Sequence, residues 1–421
     1  MRVAVIGSGG REHALLWKLK QSPRIAELFA LPGNPGMRGL ARLCPVKPDV
    51  ASLVAEVLRL DIDFVVVGPE VPLADGIADA LAGCGVSCFG PNAAAAQLES
   101  SKVFAKQLMR KCGVPTADFV IFDDIHECER FILENPRAQG RVVKADGLAA
   151  GKGAFVCADD AEALAVARRL LCEHMLGNAG QRIVVEEKLT GREASLHFLC
   201  DGERYLALPP AQDYKRALDG DHGANTGGMG TFCPARHATR ELVRECERRI
   251  VEPVQRELRA AGTPYRGLLY VGVMLTQDGP QVIEFNCRFG DPETQVMLPC
   301  LGYDIFAAME ACANGTLDPG HYAPDTSQHA VCVVLCADGY PDSYQKQIPL
   351  IAPTASSGQL LFAAGTAEQD GQWVSNGGRV LNAVGLGDSF ADARANAYDL
   401  ARRALVPGLR MREDIALSEV A

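Results

Sequence analysis

The sequence predicts a multidomain protein that joins an α/β unit with a parallel sheet to further units of α+β type. At 421 residues the chain is longer than one hydrophobic core usually serves, so we expect two to four compact units. Short Val- and Ile-rich runs alternate with helical patterns over roughly the first hundred residues, which is typical of parallel strands with crossover helices. Farther along, the Asp278-Gly279 turn between two apolar runs predicts an antiparallel hairpin.

Changes in pattern along the chain divide it into predicted units. They are an N-terminal α/β domain (1–122), a small lid (123–190), a larger lobe that carries the hairpin (191–325) and a small C-terminal domain (326–421). The lid has Val-rich strands around one helix, Asp160 to Leu171, and is small enough to be mobile. The C-terminal domain has its own strands and a last helix from Ser389 to Ala404.

The composition favours a protein that acts on small molecules in a reducing compartment. The formal net charge of −10 disfavours nucleic acid and anionic membranes as partners, because both are bound by concentrated Lys and Arg. The 15 cysteines are scattered through apolar runs without a CxxC pair, so we expect buried thiols. The N-terminus enters a strand without a leader, and no apolar run is long enough to span a bilayer, which predicts a cytoplasmic protein.

The segment from Glu284 to Glu293 groups oxygen ligands with a guanidinium. Residues two apart on a strand share a face, so Glu284 and Asn286 would present a carboxylate and an amide oxygen that suit Mg²⁺, with Arg288 following on the same face. Asp291 and Glu293 add carboxylates where a cation on ATP phosphates and a basic clamp on an anionic substrate could meet. Taken alone, the alternation is equally typical of an amphipathic strand with a wet face.

A glycine-rich turn, GSGGREHA, lies between the first strand and the first helix. Gly9 and Gly10 would let a phosphate approach the helix N-terminus. Binding of a dinucleotide is disfavoured, because Glu12 occupies the sixth position of the glycine pattern and the second strand ends without an acidic ribose ligand. A turn that only packs the strand on the helix remains the alternative.

The run from Val142 to Val156 reads as a strand, a glycine-rich loop with a lysine, and a second strand. The loop suits a flap over phosphates, but it is not a Walker loop, because Gly153 replaces the Ser/Thr and a strand follows instead of a helix. Lys144 lies between apolar residues and would be unfavourable to bury unpaired, which favours an anionic ligand. Exposure at the strand end is the alternative.

Two further segments carry charge at the ends of apolar runs. In IVVEEKLTGREAS, Glu193 could accept from ribose hydroxyls, while the backbone around Glu187 and Leu189 could read an adenine edge. In the other segment, acidic and basic side chains stand just ahead of the glycine-rich turn GANTGGMG, which favours an anion-binding loop over a plain basic turn. These side chains are Asp213, Lys215 and Arg216.

Taken together, these motifs resemble a known family. Lys102, Lys144, the GLAAGKG flap, EEKL with Glu193, and EFN occur in the order found in ATP-grasp ligases, in which two α+β lobes close on ATP. The additional motifs QDYKR, GANTGGMG, EFNCRFGDPE, GSGGREHA and GNPG resemble the glycinamide ribonucleotide synthetase family from end to end.

The resemblance implies an activity and its cofactors. It implies ligation of glycine to 5-phosphoribosylamine through glycyl phosphate, in de novo purine biosynthesis, with ATP and Mg²⁺ (or Mn²⁺). By the same resemblance the N-terminal domain would bind substrate, residues 123–190 would be the ATP-grasp lid, and residues 191–325 would be the main lobe with the metal site. We expect a monomer in transient contact with neighbouring purine-pathway enzymes. Alternatives are another ATP-grasp carboxylate–amine ligase or carboxylase, or a non-catalytic nucleotide-binding regulator.

The resemblance also assigns roles residue by residue. ATP contacts are implied for Lys102, Lys144, Gly151, Lys152, Gly153, Glu186, Glu187, Leu189 and Glu193, and metal ligation for Glu284 and Asn286. Substrate contacts are implied for Gly9, Gly10, Asn34, Pro35, Gly36, Glu70, Asp213, Lys215, Arg216, Asn225, Gly228, Arg288, Asp291 and Glu293. Arg288, Asp213 and Lys215 are the candidate catalytic residues.

The chain departs from the family pattern at two positions. Tyr214 stands where relatives usually carry His, and Ala224 where they usually carry Pro. Neither change removes a charge that the implied mechanism needs. The strand LLYVGVML also has no carboxylate for an additional metal ligand, so a second Mg²⁺ is less expected.

Overall fold

The computed structural model describes residues 1–149, 151–322 and 328–420, and its N-terminal part is a parallel sheet. Strands β1–β5 span Arg2–Gly7, Glu27–Pro32, Arg42–Leu43, Phe64–Val67 and Ser87–Phe89, and helices α1–α5 span Gly10–Leu19, Val50–Arg59, Glu70–Ala74, Ile77–Gly83 and Ala93–Ser100. All five strands are parallel and lie in the order β3-β2-β1-β4-β5. From β1 the chain first adds strands on one side, β2 and β3, and then on the other side, β4 and β5. Ligands bind at such switch points, and the loops that begin α1 and α3 lie there.

The lid is a separate antiparallel sheet. Helix α6 (Lys102–Cys112) precedes strands β6–β9, which span Phe119–Phe122, Arg141–Ala145, Ala154–Cys157 and Ile183–Glu187, and helices α7 and α8 span Ile125–Glu134 and Asp160–Leu171. The order is β6-β9-β7-β8, and the predicted strand–loop–strand flap is confirmed as the antiparallel pair β7 and β8.

The prediction of a single lid helix is wrong, because α7 is a second one. Asp124 caps it by accepting from the Glu127 amide, and Cys128 and Ile132 pack on the sheet at helical spacing. Within the flap, Ala150 lies outside the described residues.

The larger lobe carries the predicted hairpin. Strands β10–β17 span Arg192–Asp201, Tyr205–Ala207, Gln212–Asp213, Arg216–Leu218, His222–Asn225, Gly230–Cys233, Arg266–Thr276 and Gly279–Asn286, and helices α9–α12 span Arg240–Cys246, Glu252–Ala260, Glu293–Met297 and Ile305–Asn314. The main sheet has the order β11-β10-β16-β17, and β16 and β17 pair across the predicted turn. A register shift next to Gly272 places Glu284 opposite that glycine.

The C-terminal strands extend a sheet that begins in the larger lobe. Strands β18–β23 span His329–Ala337, Gln359–Ala363, Thr366–Gln369, Gln372–Ser375, Arg379–Gly387 and Leu409–Arg410, and helix α13 spans Phe390–Ala404, with Ser389 as its cap. The sheet order β12-β15-β18-β22-β19 joins Asp213 on β12 to these strands. The multidomain fold class is confirmed, while the domain bounds stay predictions, and the boundary at 325–326 lies outside the described residues.

Two other expectations concern the thiols and membranes. All cysteines are free and most are buried as predicted, but Cys84 and Cys172 are exposed, so the expectation of burial is wrong for them. No single helix among the described residues is long and apolar enough to cross a membrane. The helices of Glu293–Cys300 and Ile305–Asn314 reach that length and composition only as a pair bent by 106°.

Candidate active site

One face of the main sheet carries a row of polar side chains. Ser195 and His197 alternate along β10 and therefore share a face. Tyr270 of β16 lies opposite His197, and Asn286 of β17 lies opposite Tyr270. Glu284 is two residues before Asn286. The strands thus bring together groups from distant parts of the sequence on a sheet whose other face packs in the core.

Glu284 is an ionised carboxylate in a lysine-rich setting. Its Oε2 lies 3.1 Å from Lys102 Nζ. Burial alone would raise the pKa of Glu284, but the ammonium groups of Lys102, Lys215 and Lys144 lower it to about 2. The carboxylate therefore stays charged at neutral pH, as a ligand of a hard cation must.

Asn286 is held by the protein through one end of its amide. Its nitrogen, assigned from the hydrogen-bond network, donates to Glu99 Oε1 at 3.0 Å and to the Phe285 carbonyl at 3.2 Å. The amide oxygen is then the group left to act as an acceptor or ligand. Glu284 and Asn286 fit a divalent cation by donor chemistry, although no group of three or more His, Cys, Asp or Glu side chains suited to a metal occurs among the described residues.

Arg288 ties the N-terminal unit to the main sheet. Its Nη2 lies 3.0 Å from Glu99 Oε1, and its Nε lies 3.3 Å from Glu70 Oε2 without hydrogen-bond geometry. The sequence predicted that Arg288 and Glu70 would contact substrate, and the structure brings them to each other. Glu99 is a site residue that the sequence analysis missed, because a lone glutamate near a helix end carries no signal of this pairing.

A second carboxylate cluster lies beside the row. Lys215 Nζ contacts Glu193 Oε2 at 2.8 Å. Burial raises the pKa of Asp213 to about 7, since Glu293 and Glu193 add to the effect of burial and Lys215 only partly opposes it. Burial also raises the pKa of Glu293. This cluster can exchange a proton near neutral pH.

Lys144 and Glu186 meet in the cleft between the lid and the main sheet. Lys144 Nζ lies 3.0 Å from Glu186 Oε2 and donates to the Ile283 carbonyl at 2.8 Å. Lys106 Nζ lies 3.1 Å from the same oxygen. Glu186 Oε1 is buried without a hydrogen-bond partner in the described part of the chain, so it could accept from a ligand. Lys106 was missed by the sequence analysis, although its position one helical turn after Lys102 is a usable signal.

A cavity of about 460 Å³ lies next to this cleft. It is lined by Phe119, Phe131, Arg137 and Glu187, among others. Glu187 follows Glu186 on β9 and points to the opposite face of the lid sheet. The cavity also includes Thr116, whose hydroxyl accepts from Lys106 Nζ at 2.7 Å, so it adjoins the end of the lysine cluster.

The flap reaches the C-terminal unit. Lys152 Nζ donates to the Pro341 carbonyl at 2.9 Å. Gly151, just before it, has a φ of +77°, which a residue with a side chain rarely adopts. The Lys152 side chain thus connects the flap to the C-terminal unit.

The N-terminal glycine turn lies against the loop that follows β17. A β carbon on Gly9 would lie 3.8 Å from Asp291 Oδ2, an ordinary van der Waals contact, whereas one on Gly228 would lie only 2.4 Å from Pro292 Cδ, so Gly228 has no room for a side chain. Arg379 Nη2 lies 3.1 Å from Asp291 Oδ2. Arg379 is another residue that the sequence analysis missed.

Asn34 ties two loops together. Its Nδ2 donates to the Ser8 and Ala363 carbonyls, each at 2.9 Å, and Pro35 and Gly36 form the short turn that follows. Gly10 packs against Asn382, since a β carbon there would lie 2.1 Å from its Nδ2. The predicted residues of the N-terminal unit therefore meet the C-terminal unit.

Some predicted site residues lie apart from these clusters. Arg216 and Asn225 face each other across the small hairpin of β13 and β14, where Arg216 donates to the Gly223 carbonyl. Tyr214 has a structural role, because its hydroxyl accepts from the Ala416 amide at 3.0 Å.

Comparisons with known proteins match three segments of the chain to one family. The family is phosphoribosylglycinamide synthetase. The family's N domain matches residues 1–99 of the chain, its ATP-grasp (A) domain matches residues 100–294, and its C domain matches residues 330–418. A protein of Rhizobium meliloti, phosphoribosylamine–glycine ligase, is 44% identical over 423 residues, covering 100% of this chain and 99% of that protein.

Solved structures share the fold. The crystal structure of phosphoribosylamine–glycine ligase from Thermotoga maritima matches with a TM-score of 0.85 and 33% identity, covering 98% of this chain and 100% of that one. A biotin carboxylase–beta-gamma-ATP complex from Campylobacter jejuni matches with a TM-score of 0.74 at 15% identity, covering 97% and 92% of the two chains. The second likeness concerns the fold alone.

Proposed function

The chain belongs to the phosphoribosylglycinamide synthetase family, and from that membership we propose that it ligates glycine to 5-phosphoribosylamine in an ATP-dependent step of purine biosynthesis. The products are glycinamide ribonucleotide, ADP and phosphate. The observation that carries the proposal is the continuous cluster in which Glu284, Lys102 and Lys215 lie beside the protonatable carboxyl of Asp213.

The chemistry requires activation of a carboxylate before an amine attacks it. The glycine carboxylate attacks the γ-phosphate of ATP and forms glycyl phosphate with release of ADP. The amine of phosphoribosylamine then attacks the carbonyl carbon, and phosphate leaves. Both steps depend on positioning and on neutralisation of charge more than on a strong base.

The nucleotide would lie in the cleft between the lid and the main sheet. We assign its phosphates to Lys102, Lys144, Gly151, Lys152 and Gly153, and its adenosine to Glu186, Glu187, Leu189 and Glu193. The buried, unpartnered Oε1 of Glu186 supports the second assignment, because it offers an acceptor to a ligand N–H.

Glu284 and Asn286 are the proposed ligands of the divalent cation. Their oxygen donors suit Mg²⁺ or Mn²⁺, and we favour Mg²⁺. When bound, the cation would offset the negative charge of the phosphates. Lys102, only 3.1 Å from Glu284, keeps that carboxylate ionised before any cation arrives.

The substrates would lie next to this cleft, where the N-terminal turn meets the loop after β17. We assign them to Gly9, Gly10, Asn34, Pro35, Gly36, Glu70, Arg216, Asn225, Gly228, Asp291 and Glu293, together with the catalytic candidates. Asp213 would accept the proton that the attacking amine loses, Lys215 would stabilise negative charge, and Arg288 would orient the carboxylates around it.

A coupled assay for ADP tests the proposed activity. We expect ADP formation to require glycine and phosphoribosylamine together, with only slow formation when glycine is supplied alone. Turnover that depends on bicarbonate instead would identify a carboxylase and overturn the proposal.

The proton-accepting role of Asp213 predicts a pH dependence. A carboxyl with a pKa of about 7 is ionised above that pH and protonated below it, so kcat/KM should fall as the pH drops through about 7. An Asp213→Asn variant should be much less active and should keep only the part of this limb that comes from the neighbouring Glu293, whose pKa burial also raises. A wild-type profile that stays flat between about pH 6 and 8 would contradict the assignment.

Lys152 should contribute to closure of the flap on phosphate. Lys152→Ala is expected to raise the KM for ATP about tenfold and to lower kcat, because one charged hydrogen bond to phosphate is lost. Lys346→Ala, which removes an exposed lysine of the C-terminal unit, serves as the control. Unchanged ATP affinity and turnover in Lys152→Ala would show that this lysine serves only its contact with Pro341.

We also propose that the protein works in the cytoplasm as a monomer and makes transient contacts with neighbouring purine-pathway enzymes. The uniformly free cysteines support a reducing compartment. Size-exclusion chromatography with light scattering tests the monomer, and a concentration-independent dimer would contradict it.

A further inference from the structure

His197 is a buried histidine that the proposed reaction does not use. Its side chain is fully buried on the polar face of β10. Neither ring nitrogen has a hydrogen-bond partner within the described part of the chain. Buried polar groups are nearly always paired, so two unpaired ring nitrogens next to a reaction site call for a physical reason.

The ring is neutral in this environment. Burial lowers the pKa of His197 to about 3, and the nearby Arg288 guanidinium lowers it in the same direction. The Ser195 carbonyl opposes this shift without forming a hydrogen bond that satisfies either nitrogen. A neutral imidazole offers one N–H donor and one acceptor.

One ring nitrogen of His197 and one carboxylate oxygen of Glu293 border the same small space at Gly290. A β carbon on Gly290 would lie 2.8 Å from His197 Nε2 and 2.6 Å from Glu293 Oε2. Both polar atoms therefore converge on one point, and residue 290 has no room for a side chain. The Tyr270 ring packs edge-on against His197, with 4.9 Å between centroids, and limits its rotation. The two side chains are not hydrogen-bonded to each other in the structure, so the Glu293 carboxylate would have to shift toward Nε2 to form the bond.

Glu293 lies among charges from several elements. The groups that face it are Asp213 and Lys215 from the β12–β13 segment, Tyr270 from β16, Arg288 and Asp291 from the loop after β17, and Arg379 from β22. Glu293 and Asp213 form a buried acidic patch that would be stabilised by a cationic amino group.

We propose that His197 is a positioning residue, whose Nε2–H donates to the Glu293 carboxylate in the substrate-bound enzyme and holds it toward the ammonium group of the amino-acid substrate. This inference rests on the proposed function, because it assigns the ammonium group to glycine. It adds a residue to the site that none of the sequence motifs indicated.

Three substitutions at one position test the role. Gln can place an amide N–H near the position of Nε2, whereas Asn reaches only as far as Nδ1. We expect His197→Leu to raise the KM for glycine about tenfold while the KM for ATP stays unchanged, since one charged hydrogen bond is lost. His197→Gln should restore most of the glycine affinity, and His197→Asn should not.

The pH profile supplies a readout that packing alone would not move. Loss of a donor raises the pKa of a carboxylate, so the acidic limb of kcat/KM for glycine should shift to higher pH in His197→Leu and return in His197→Gln. His329→Leu, the same change at a histidine of the C-terminal unit, is the control and should leave glycine KM and the limb in place.

The outcomes separate the inference from the proposed function. A His197→Leu enzyme that loses only thermal stability, with wild-type glycine KM and pH limb, overturns the inference. If His197→Leu does not fold, equal glycine KM values for the Gln and Asn variants overturn it. The absence of glycine- and phosphoribosylamine-dependent ADP formation in the wild type would instead remove the proposed function.

Discussion

Replacing Glu284 with Gln should lower kcat by about two to three orders of magnitude while the enzyme remains folded. The change keeps the shape of the side chain and removes the charge that would bind the cation. It also removes the partner of Lys102, so the ammonium group of Lys102 would compete with the cation for the phosphates. Steady-state kinetics with circular dichroism tests the expectation.

A matched substitution separates this effect from the loss of any ion pair. Glu257→Gln removes the partner of Lys111, which is on the same helix as Lys102 but exposed and distant from the cleft. We expect wild-type turnover in that variant, because exposed pairs contribute little. Normal turnover in Glu284→Gln would refute the metal-ligand role.

Replacing Arg288 with Met should cause the largest loss of stability. Arg288 is the counterion of both Glu70 and Glu99. Removing one partner of a buried ion pair leaves uncompensated charge and reduces the free energy of unfolding by about 3–5 kcal/mol. Activity should fall with it, because the N-terminal unit would lose a tie to the main sheet. Chemical denaturation and kinetics measure the two effects.

The loss should depend on pH in a defined direction. In the wild type, burial raises the pKa of Glu70, but Arg288, Arg11 and hydrogen bonds together lower it below its ordinary value, so the carboxylate stabilises the fold at neutral pH and less as the pH falls. Without the guanidinium both carboxyls should have raised pKa values, so the destabilisation should shrink as the pH falls from about 7 toward about 4. Arg249→Met, at an exposed pair with Glu245, is the control. A pH-independent loss would contradict this account.

Local patterns in the sequence predicted much of the fold. Val-rich runs separated by helices indicated the parallel sheet, and Asp278-Gly279 indicated the hairpin that the structure contains. The pairing of β15 with β18 could not be predicted in this way, because nothing local sets the register of strands about a hundred residues apart. That pairing is what brings Arg379 to Asp291.

The sequence indicated which charged residues belong to the candidate site, but it did not indicate which of them form ion pairs with each other. Lys102 and Glu284 were assigned to ATP and to metal, and the structure places them against each other. Lys144 likewise lies on Glu186. A sequence shows that charges lie near the cleft but not which opposite charges will neutralise them, because that depends on how lid and main sheet meet. The individual roles stay predictions.

The route through glycyl phosphate is tested most directly with glycine labelled with ¹⁸O in its carboxylate. A carboxylate oxygen that attacks the γ-phosphorus stays on phosphorus when the amine displaces phosphate from the carbonyl carbon. Mass spectrometry should therefore find one labelled oxygen in the phosphate formed with each glycinamide ribonucleotide. Product formed with unlabelled phosphate would contradict the account.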